Sequence, residues 1–330
     1  MNLEKLSPAF QDYLWGGTKL RDLYGKHCDL DKVAESWELS THPAGESKIQ
    51  GGQYDGLTLG QYLQKVGKAA LGRNAAAFEN FPVLIKLIGA KEALSIQVHP
   101  SDAYALQVEH EYGKTEMWVV MDCDPGATLY FGVNRPVSRE EFQQRIQEGT
   151  VTQVLDQVEV HPGDVFFIQA GTIHAIGAGI LICEIQQNSN CTYRVYDYGR
   201  LGADGKPREL HIQKALDVCR LTPEEGGSST GPVYPLAGGT AQDLGACAYF
   251  ATQRLQVERA LTLEVGEDSF VSLLATQGSG VVCGPENSLA FGPGDSLFLP
   301  AGAGRVRIAG EATLIKTAVP QRAEDAPETL

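Results

Sequence analysis

A chain of 330 residues with 43% hydrophobic composition carries enough apolar material for a sizeable core and is long enough for two domains. A formal net charge of −14, with no basic run, argues against nucleic acid and an anionic membrane surface as partners. It leaves room for an anionic small molecule, which needs only a few Lys or Arg side chains gathered in one pocket.

The N-terminus has no basic start leading into an apolar run, and no stretch of about 18 apolar residues follows, so a soluble cytoplasmic protein is expected. Helix signals punctuate a β-rich chain. Thr58 and Gln61 form a capping box before a stripe of Leu59, Leu63 and Val66 that ends near Gly72. The sequence predicts strands over 81–87 and 93–98, a short helix from Ser101 to about Gly113, and a strand over 116–122. Ser138 and Glu141 make a second capping box, with Phe142 and Ile146 one turn apart and Gly149 as the stop. Strands follow over 165–169 and 181–186, then a helix from Arg208 to Cys219.

The residues near 221–235 are rich in Gly, Pro and Ser and read as a linker. This divides the chain into a first domain over 1–220, a second β-rich block over 236–318, and a loose tail over 319–330. Seven cysteines with no CxxC pair point to reduced, mostly buried thiols rather than disulfides or a Cys-rich metal site.

The two halves share a pattern. His161 to Gly171 and Gly292 to Gly302 each read as a Pro-Gly-Asp turn, an apolar strand and an Ala-Gly turn. Ten residues after Asp164 stands His174, whereas Arg305 stands ten residues after Asp295. If His174 binds a metal, the second half has lost that ligand, and a single site is expected in the first half.

Several polar residues sit in apolar strands. Gln97 and His99 are two positions apart in Leu94-Ser95-Ile96-Gln97-Val98-His99-Pro100, so both point to one face and could converge on an ion while Ile96 and Val98 pack behind. A lone His at a strand end is otherwise a satisfied polar residue. Glu116 opens the apolar run Met117-Trp118-Val119-Val120, where a carboxylate is costly unless paired or bound to a cation, and reads otherwise as a strand-end surface residue. His174 follows an apolar strand in a small-residue turn that lets a cation approach.

The sequence resembles the type I mannose-6-phosphate isomerases in their short two-domain bacterial form. The matching stretches are Tyr13-Leu14-Trp15-Gly16-Gly17, Glu35-Ser36-Trp37-Glu38-Leu39-Ser40, Ser95 to Pro100, Lys114-Thr115-Glu116-Met117-Trp118, Ala170 to Ala175, and Tyr193-Arg194-Val195-Tyr196-Asp197. The resemblance covers most of the first 220 residues and weakens after the linker. It implies a mainly β fold of two cupin-type (jelly-roll) β-barrels with a few short helices. It also implies one Zn2+ per chain on Gln97, His99, Glu116 and His174, and interconversion of mannose 6-phosphate and fructose 6-phosphate.

That reaction moves a proton between C1 and C2 through an enediolate, so the site must stabilise oxygen charge and carry an acid/base group. Glu184, in the apolar run Leu181-Ile182-Cys183-Glu184-Ile185, suits the proton shuttle and equally suits orienting a ligand or an Arg. Lys114 and Ser95 flank the ligands and could hold phosphate or sugar oxygens. Arg194, set among aromatics, suits a phosphate or the enediolate and reads otherwise as the partner of Asp197. His42 is expected to line the site without binding metal. Two alternatives stand beside the isomerase: an iron-dependent cupin dioxygenase and a non-catalytic sugar-phosphate-binding protein. No oligomeric state can be read from the sequence.

Overall fold

Continuous apolar runs and short alternating segments produce 21 strands and six short α-helices in the computed structural model, which describes residues 1–202, 205–225 and 227–321. Of the expected tail, residues 322–330 lie outside the described residues. The chain divides into two compact units, one of residues 10–37 and 84–229, the other of residues 1–9, 38–83 and 230 onwards. These units do not coincide with the boundaries expected at 220 and 236. The second unit gathers the N-terminal strand Glu4–Ser7, which pairs antiparallel with Ser296–Leu299 through Glu4 opposite Phe298. A pairing between segments so distant in sequence leaves no local signal.

The first unit is built on two sheets. One runs in the order Val165–Ile168, Glu116–Cys123, Ile180–Gln187, Val83–Ala90, Glu35–Leu39, Ala9–Gln11. Its central strands are buried along their whole length over Val83–Ala90 and Ile180–Gln187, as expected where both faces are covered. The other sheet runs Tyr193–Tyr196, Ile96–Val98, His174–Ala175, Thr128–Val133, Leu155–Glu159. A core of Trp118, Val120, Phe166, Ile168, Ile180 and Ile182 from the first sheet meets Leu129 and Phe131 from the second. On the far face of the second sheet, Ile96, Val98, Tyr193 and Val195 pack with Phe142 and Ile146 of the helix Arg139–Glu148 and Ala215 and Leu216 of the helix Ile212–Val218.

In the second unit two long strands, Val271–Cys283 and Gly304–Ala318, pair with each other over most of their length. Each takes a different neighbour at each end: Ser296–Leu299 and Ser288–Phe291 flank the former, Ala251–Val257 and Ala260–Val265 the latter. This arrangement encloses a core that includes Leu273, Val306, Ile308 and Leu314. Among the described residues the backbone pairings leave the three sheets unclosed, and the expected mainly β fold with a few short helices holds.

Candidate active site

The register of the two facing sheets gathers the polar residues. Directly paired strand residues share a face, as do residues two apart in one strand. Gln186 lies opposite Glu116 and Glu184 opposite Trp118, so Glu116, Trp118, Glu184 and Gln186 share one face of the six-stranded sheet. In the other sheet Gln97 pairs with His174 on one side and Arg194 on the other, which sets His174, Gln97 and Arg194 in a row across three strands. A cavity of about 240 Å³ is lined by Tyr13, Trp15, Glu35, Lys86, Ser95, Gln97, Lys114, Glu184, Arg194 and Arg208, among others.

Two of these lining residues, Gln97 and Lys114, reach a buried group of His99, Glu116 and His174, whose ligand atoms all lie within 4.8 Å of one another. His99 Nδ1 lies 2.9 Å from the Cys191 carbonyl oxygen and His174 Nδ1 2.8 Å from that of Thr172. A carbonyl oxygen only accepts, so each Nδ1 carries the proton and each Nε2 presents a lone pair. Those lone pairs face a carboxylate: His99 Nε2 is 3.5 Å from Glu116 Oε2, and His174 Nε2 is 3.3 Å from Glu116 Oε1. Burial first, then the Lys114 charge, pushes the His99 imidazole down to about 3, and burial likewise holds His174 below its ordinary value. Three acceptors facing one another, with neither imidazole protonated to bridge them, form a cation-binding donor set.

Neither Glu116 oxygen has a hydrogen bond of proper geometry, although Lys114 Nζ approaches Oε2 to 2.6 Å. That contact is ionic. Burial opposes ionisation of Glu116, yet Lys114 and His99 hold its carboxyl well below the usual range. The same carboxylate, with Glu184, keeps Lys114 charged against the opposing effect of burial. Gln97 Nε2 donates to His174 Nε2 at 3.3 Å. The two ends of an amide are assigned by their surroundings, and the opposite rotamer points Oε1 at the same place.

Beside this group lies a buried ion cluster. Lys86 Nζ stands 3.4 Å from Glu35 Oε2 and 3.6 Å from Glu184 Oε1, and 4.5 Å over the ring of Trp37. Trp37 Nε1 donates to Glu35 Oε2 at 2.6 Å, and Trp118 Nε1 donates to Glu184 Oε2 at 2.9 Å. Glu184 is 2% exposed, and burial followed by the nearby Glu116 charge raises its carboxyl, opposed by Lys114 and Lys86.

The structure thus brings Ser95, Gln97, Lys114, Glu184 and Arg194 to one cavity, with His99, Glu116 and His174 converging as one group. The alternative pairing of Arg194 with Asp197 is not formed: Asp197 binds Arg200 and Arg208, whereas Arg194 Nη1 donates to the Glu209 carbonyl oxygen at 2.7 Å. His42 is not among the lining residues. Lys86, Glu35 and Arg208 were missed as site residues. Lys86 could have been found, because Val83-Leu84-Ile85-Lys86-Leu87-Ile88 embeds a charge in an apolar strand just as the Glu116 segment does.

A model of the phosphomannose isomerase type I catalytic domain matches residues 3–119, and one of the mannose-6-phosphate isomerase cupin domain matches residues 240–319. A mannose-6-phosphate isomerase of Bacillus subtilis is 36% identical over 311 residues, 93% of this chain and 96% of the relative. One of Streptococcus mutans is 37% identical over 288 residues, 87% of this chain and 89% of the relative. The crystal structure of a Bacillus subtilis mannose 6-phosphate isomerase superposes with a TM-score of 0.88 at 33% identity, covering 96% of this chain and 99% of that one. The chain belongs to the type I mannose-6-phosphate isomerase family.

Proposed function

We propose that this cavity interconverts D-mannose 6-phosphate and D-fructose 6-phosphate in the cytoplasm, with one Zn2+ held by Gln97, His99, Glu116 and His174. The observation that carries the reading is the buried group of two neutral imidazoles and a carboxylate, contacted by Gln97 and Lys114 from the wall of a cavity that is also lined by Lys86, Arg194 and Arg208. Nitrogen and carboxylate donors suit zinc, with the Gln97 amide oxygen as fourth ligand. When bound, the ion supplies positive charge that polarises or orients the sugar oxygens at C1 and C2.

The chain's own residues supply the rest. Glu184 has one oxygen fixed by Trp118 and the other turned to Lys86 and Lys114, and its raised carboxyl suits repeated gain and loss of a proton. It removes the proton from C2 of the open-chain aldose, and that electron pair forms the C1–C2 double bond as the carbonyl oxygen takes the charge. Return of the proton to C1, with transfer of the O2 proton to O1, leaves the ketose with no net oxidation or reduction. Lys86 and Lys114, both in the cavity wall, are the cationic donors this reading assigns to the two oxygens, and it assigns the unpartnered Arg194 Nε to the far end of the substrate. Ser95, 5% exposed in the cavity wall, is a donor to a sugar hydroxyl.

The dioxygenase and the inactive binder are set aside, since membership of an isomerase family favours neither. A coupled assay for fructose 6-phosphate formed from mannose 6-phosphate, on chelator-stripped protein with and without added zinc, tests the reading. Activity restored by zinc and abolished by His99→Ala supports it. Metal-loaded, folded protein without turnover sinks it.

A further inference from the structure

The three converging candidate ligands lean on a single turn. Between the strands Val165–Ile168 and His174–Ala175 the chain reverses over Gln169 to Thr172, closed by Thr172 N donating to the Gln169 carbonyl oxygen at 3.0 Å. Gly171 N donates to the His99 carbonyl oxygen at 2.8 Å. Ala170 N donates at 3.3 Å to Thr115 Oγ1, on the residue next to Glu116. The Thr172 carbonyl oxygen accepts from His174 Nδ1 at 2.8 Å. One turn thus touches the backbone of the first imidazole, the neighbour of the carboxylate and the ring of the second imidazole.

The turn is held from outside. Leu221 to Glu224 fall in the stretch that reads from sequence as a linker, yet with Arg220 they form a brace across it. Arg220 N donates to the Gly171 carbonyl oxygen at 2.8 Å, and its Nη1 to Gln169 Oε1 at 2.8 Å. Its Nη2 donates to the Thr172 hydroxyl oxygen and, at 2.9 Å, to Glu224 Oε1. The Thr172 hydroxyl in turn donates to that same Glu224 oxygen at 2.9 Å. Guanidinium, hydroxyl and carboxylate close a triangle around Thr172, which is 1% exposed. The packing is equally close: a Cβ on Gly171 would meet the Val218 carbonyl oxygen at 2.9 Å, and one on Gly132 would meet Glu224 Cγ at 2.7 Å. Val137 N donates to the Leu221 carbonyl oxygen at 2.9 Å and anchors the brace. Neither Arg220, Glu224 nor Thr172 lines the cavity that holds Gln97 and Lys114.

We propose that Arg220 and Glu224 are positioning residues for the metal group, acting through Thr172 to fix the carbonyl that selects the Nδ1–H form of His174 and aims its Nε2. The partner of a ligating histidine's second nitrogen sets its tautomer and ring orientation, so whatever holds that partner holds the ligand. A strand of only two residues, His174–Ala175, fixes little of the chain before it, and the triangle supplies what the backbone ladder does not. The ion pair by itself is a weak source of stability, since the side chains of Arg220 and Glu224 are 38% and 19% exposed. Its role lies in the geometry it imposes on Thr172. This inference rests on reading His99, Glu116 and His174 as metal ligands.

The test compares the parent with Arg220→Ala, Glu224→Ala and Glu224→Gln, each shown to be folded by near-UV circular dichroism. Glu224→Ala serves alone if Arg220→Ala fails to fold. Glu224→Gln keeps an oxygen that accepts from Arg220 and Thr172, so it is the rescuing variant. In metal-free protein near neutral pH, a long-range proton–nitrogen NMR spectrum of the imidazoles reads which nitrogen of His174 carries the proton. Competition with a chelator gives the zinc affinity. The parent holds His174 in the Nδ1–H form alone, whereas the alanine variants mix both tautomers and their Kd for zinc rises roughly tenfold. Glu224→Gln stays closer to the parent than Glu224→Ala in both readouts. Folded alanine variants with the parent's tautomer and zinc affinity overturn the assignment. If the parent itself binds no zinc, the metal reading fails, and the tautomer spectrum alone decides whether the brace positions His174.

Discussion

In the proposed mechanism the proton transfer rests on Glu184 beside Lys86, and substitutions of these side chains separate two roles. Glu184→Gln keeps the Trp118 bond and the volume but removes the exchangeable proton, so kcat falls by about 10²- to 10⁴-fold while zinc content stays near one per chain. Lys86→Met removes the ammonium between Glu35 and Glu184, leaving two buried carboxylates close together without it. It therefore lowers thermal stability as well as kcat. Steady-state kinetics with metal analysis and a melting curve on each variant check this, and a Glu184→Gln enzyme with full activity excludes that carboxylate as the proton carrier. The candidate metal group was legible chiefly through the family resemblance, because Gln97, His99, Glu116 and His174 sit at strand positions where a polar residue needs a reason, yet singly they read as well as satisfied or strand-end residues. Arg208 was not, because its segment reads as the start of a helix whereas the helix begins only at Ile212. The Asp197 that orients it is shared with Arg200, a tertiary fact without periodicity.

At the level of elements, local rules held where the cause was local. Thr58 and Gln61 make the complete reciprocal capping box, whereas the Ser138 box is half formed, with the side chain accepting from Glu141 N. The helix expected to reach Gly113 ends at Val108, because Gly113 N is taken by Asp102 Oδ1 at 2.7 Å, folding the segment back before the Glu116 strand. The short strand His174–Ala175 depends on a neighbour that sequence does not reveal. Just beyond it, Gly177 lies so close to the Thr128 carbonyl that an added Cβ would meet the oxygen well inside contact distance. Gly177→Ala must part the two strands or distort the turn, and overpacking of this kind costs about 1–3 kcal/mol. Because His174 pairs with Phe131 in the adjacent strand, the shift also moves a candidate ligand. The expected outcome is a lower melting temperature together with weaker zinc retention in a chelator competition. A variant that melts earlier but holds zinc as tightly as the parent shows that the turn does not position His174.

For the molecule as a whole, stability against pH is set by groups of opposite sign in the two units. The buried imidazoles of His99 and His174 are held below the ordinary 6.5, so the unfolded chain binds those protons more readily than the folded one. Their contribution is complete above about pH 6.5 and is lost as the pH falls, and metal release follows the same course because the ligands must be deprotonated. Glu4 works the other way. It lies in a cross-strand row with Thr252, Thr317, Ser272 and Phe298, and is only 6% exposed. Burial raises its carboxyl from 4.5 to about 7. The folded chain therefore keeps this proton where the unfolded chain has lost it, and stability declines as the pH rises from about 4.5 to about 7. Glu4→Gln removes that decline by supplying a neutral side chain at every pH. At pH 4.5 variant and parent should unfold with nearly equal free energies, while at pH 8 the variant should be more stable by roughly 2 kcal/mol. Urea unfolding of the metal-free proteins at both pH values measures the difference, in which the histidine contributions cancel because both proteins carry them. A constant offset between the two curves would mean that Glu4 titrates alike in the folded and unfolded chains, and the carboxyl would then be solvated in spite of its place in the row.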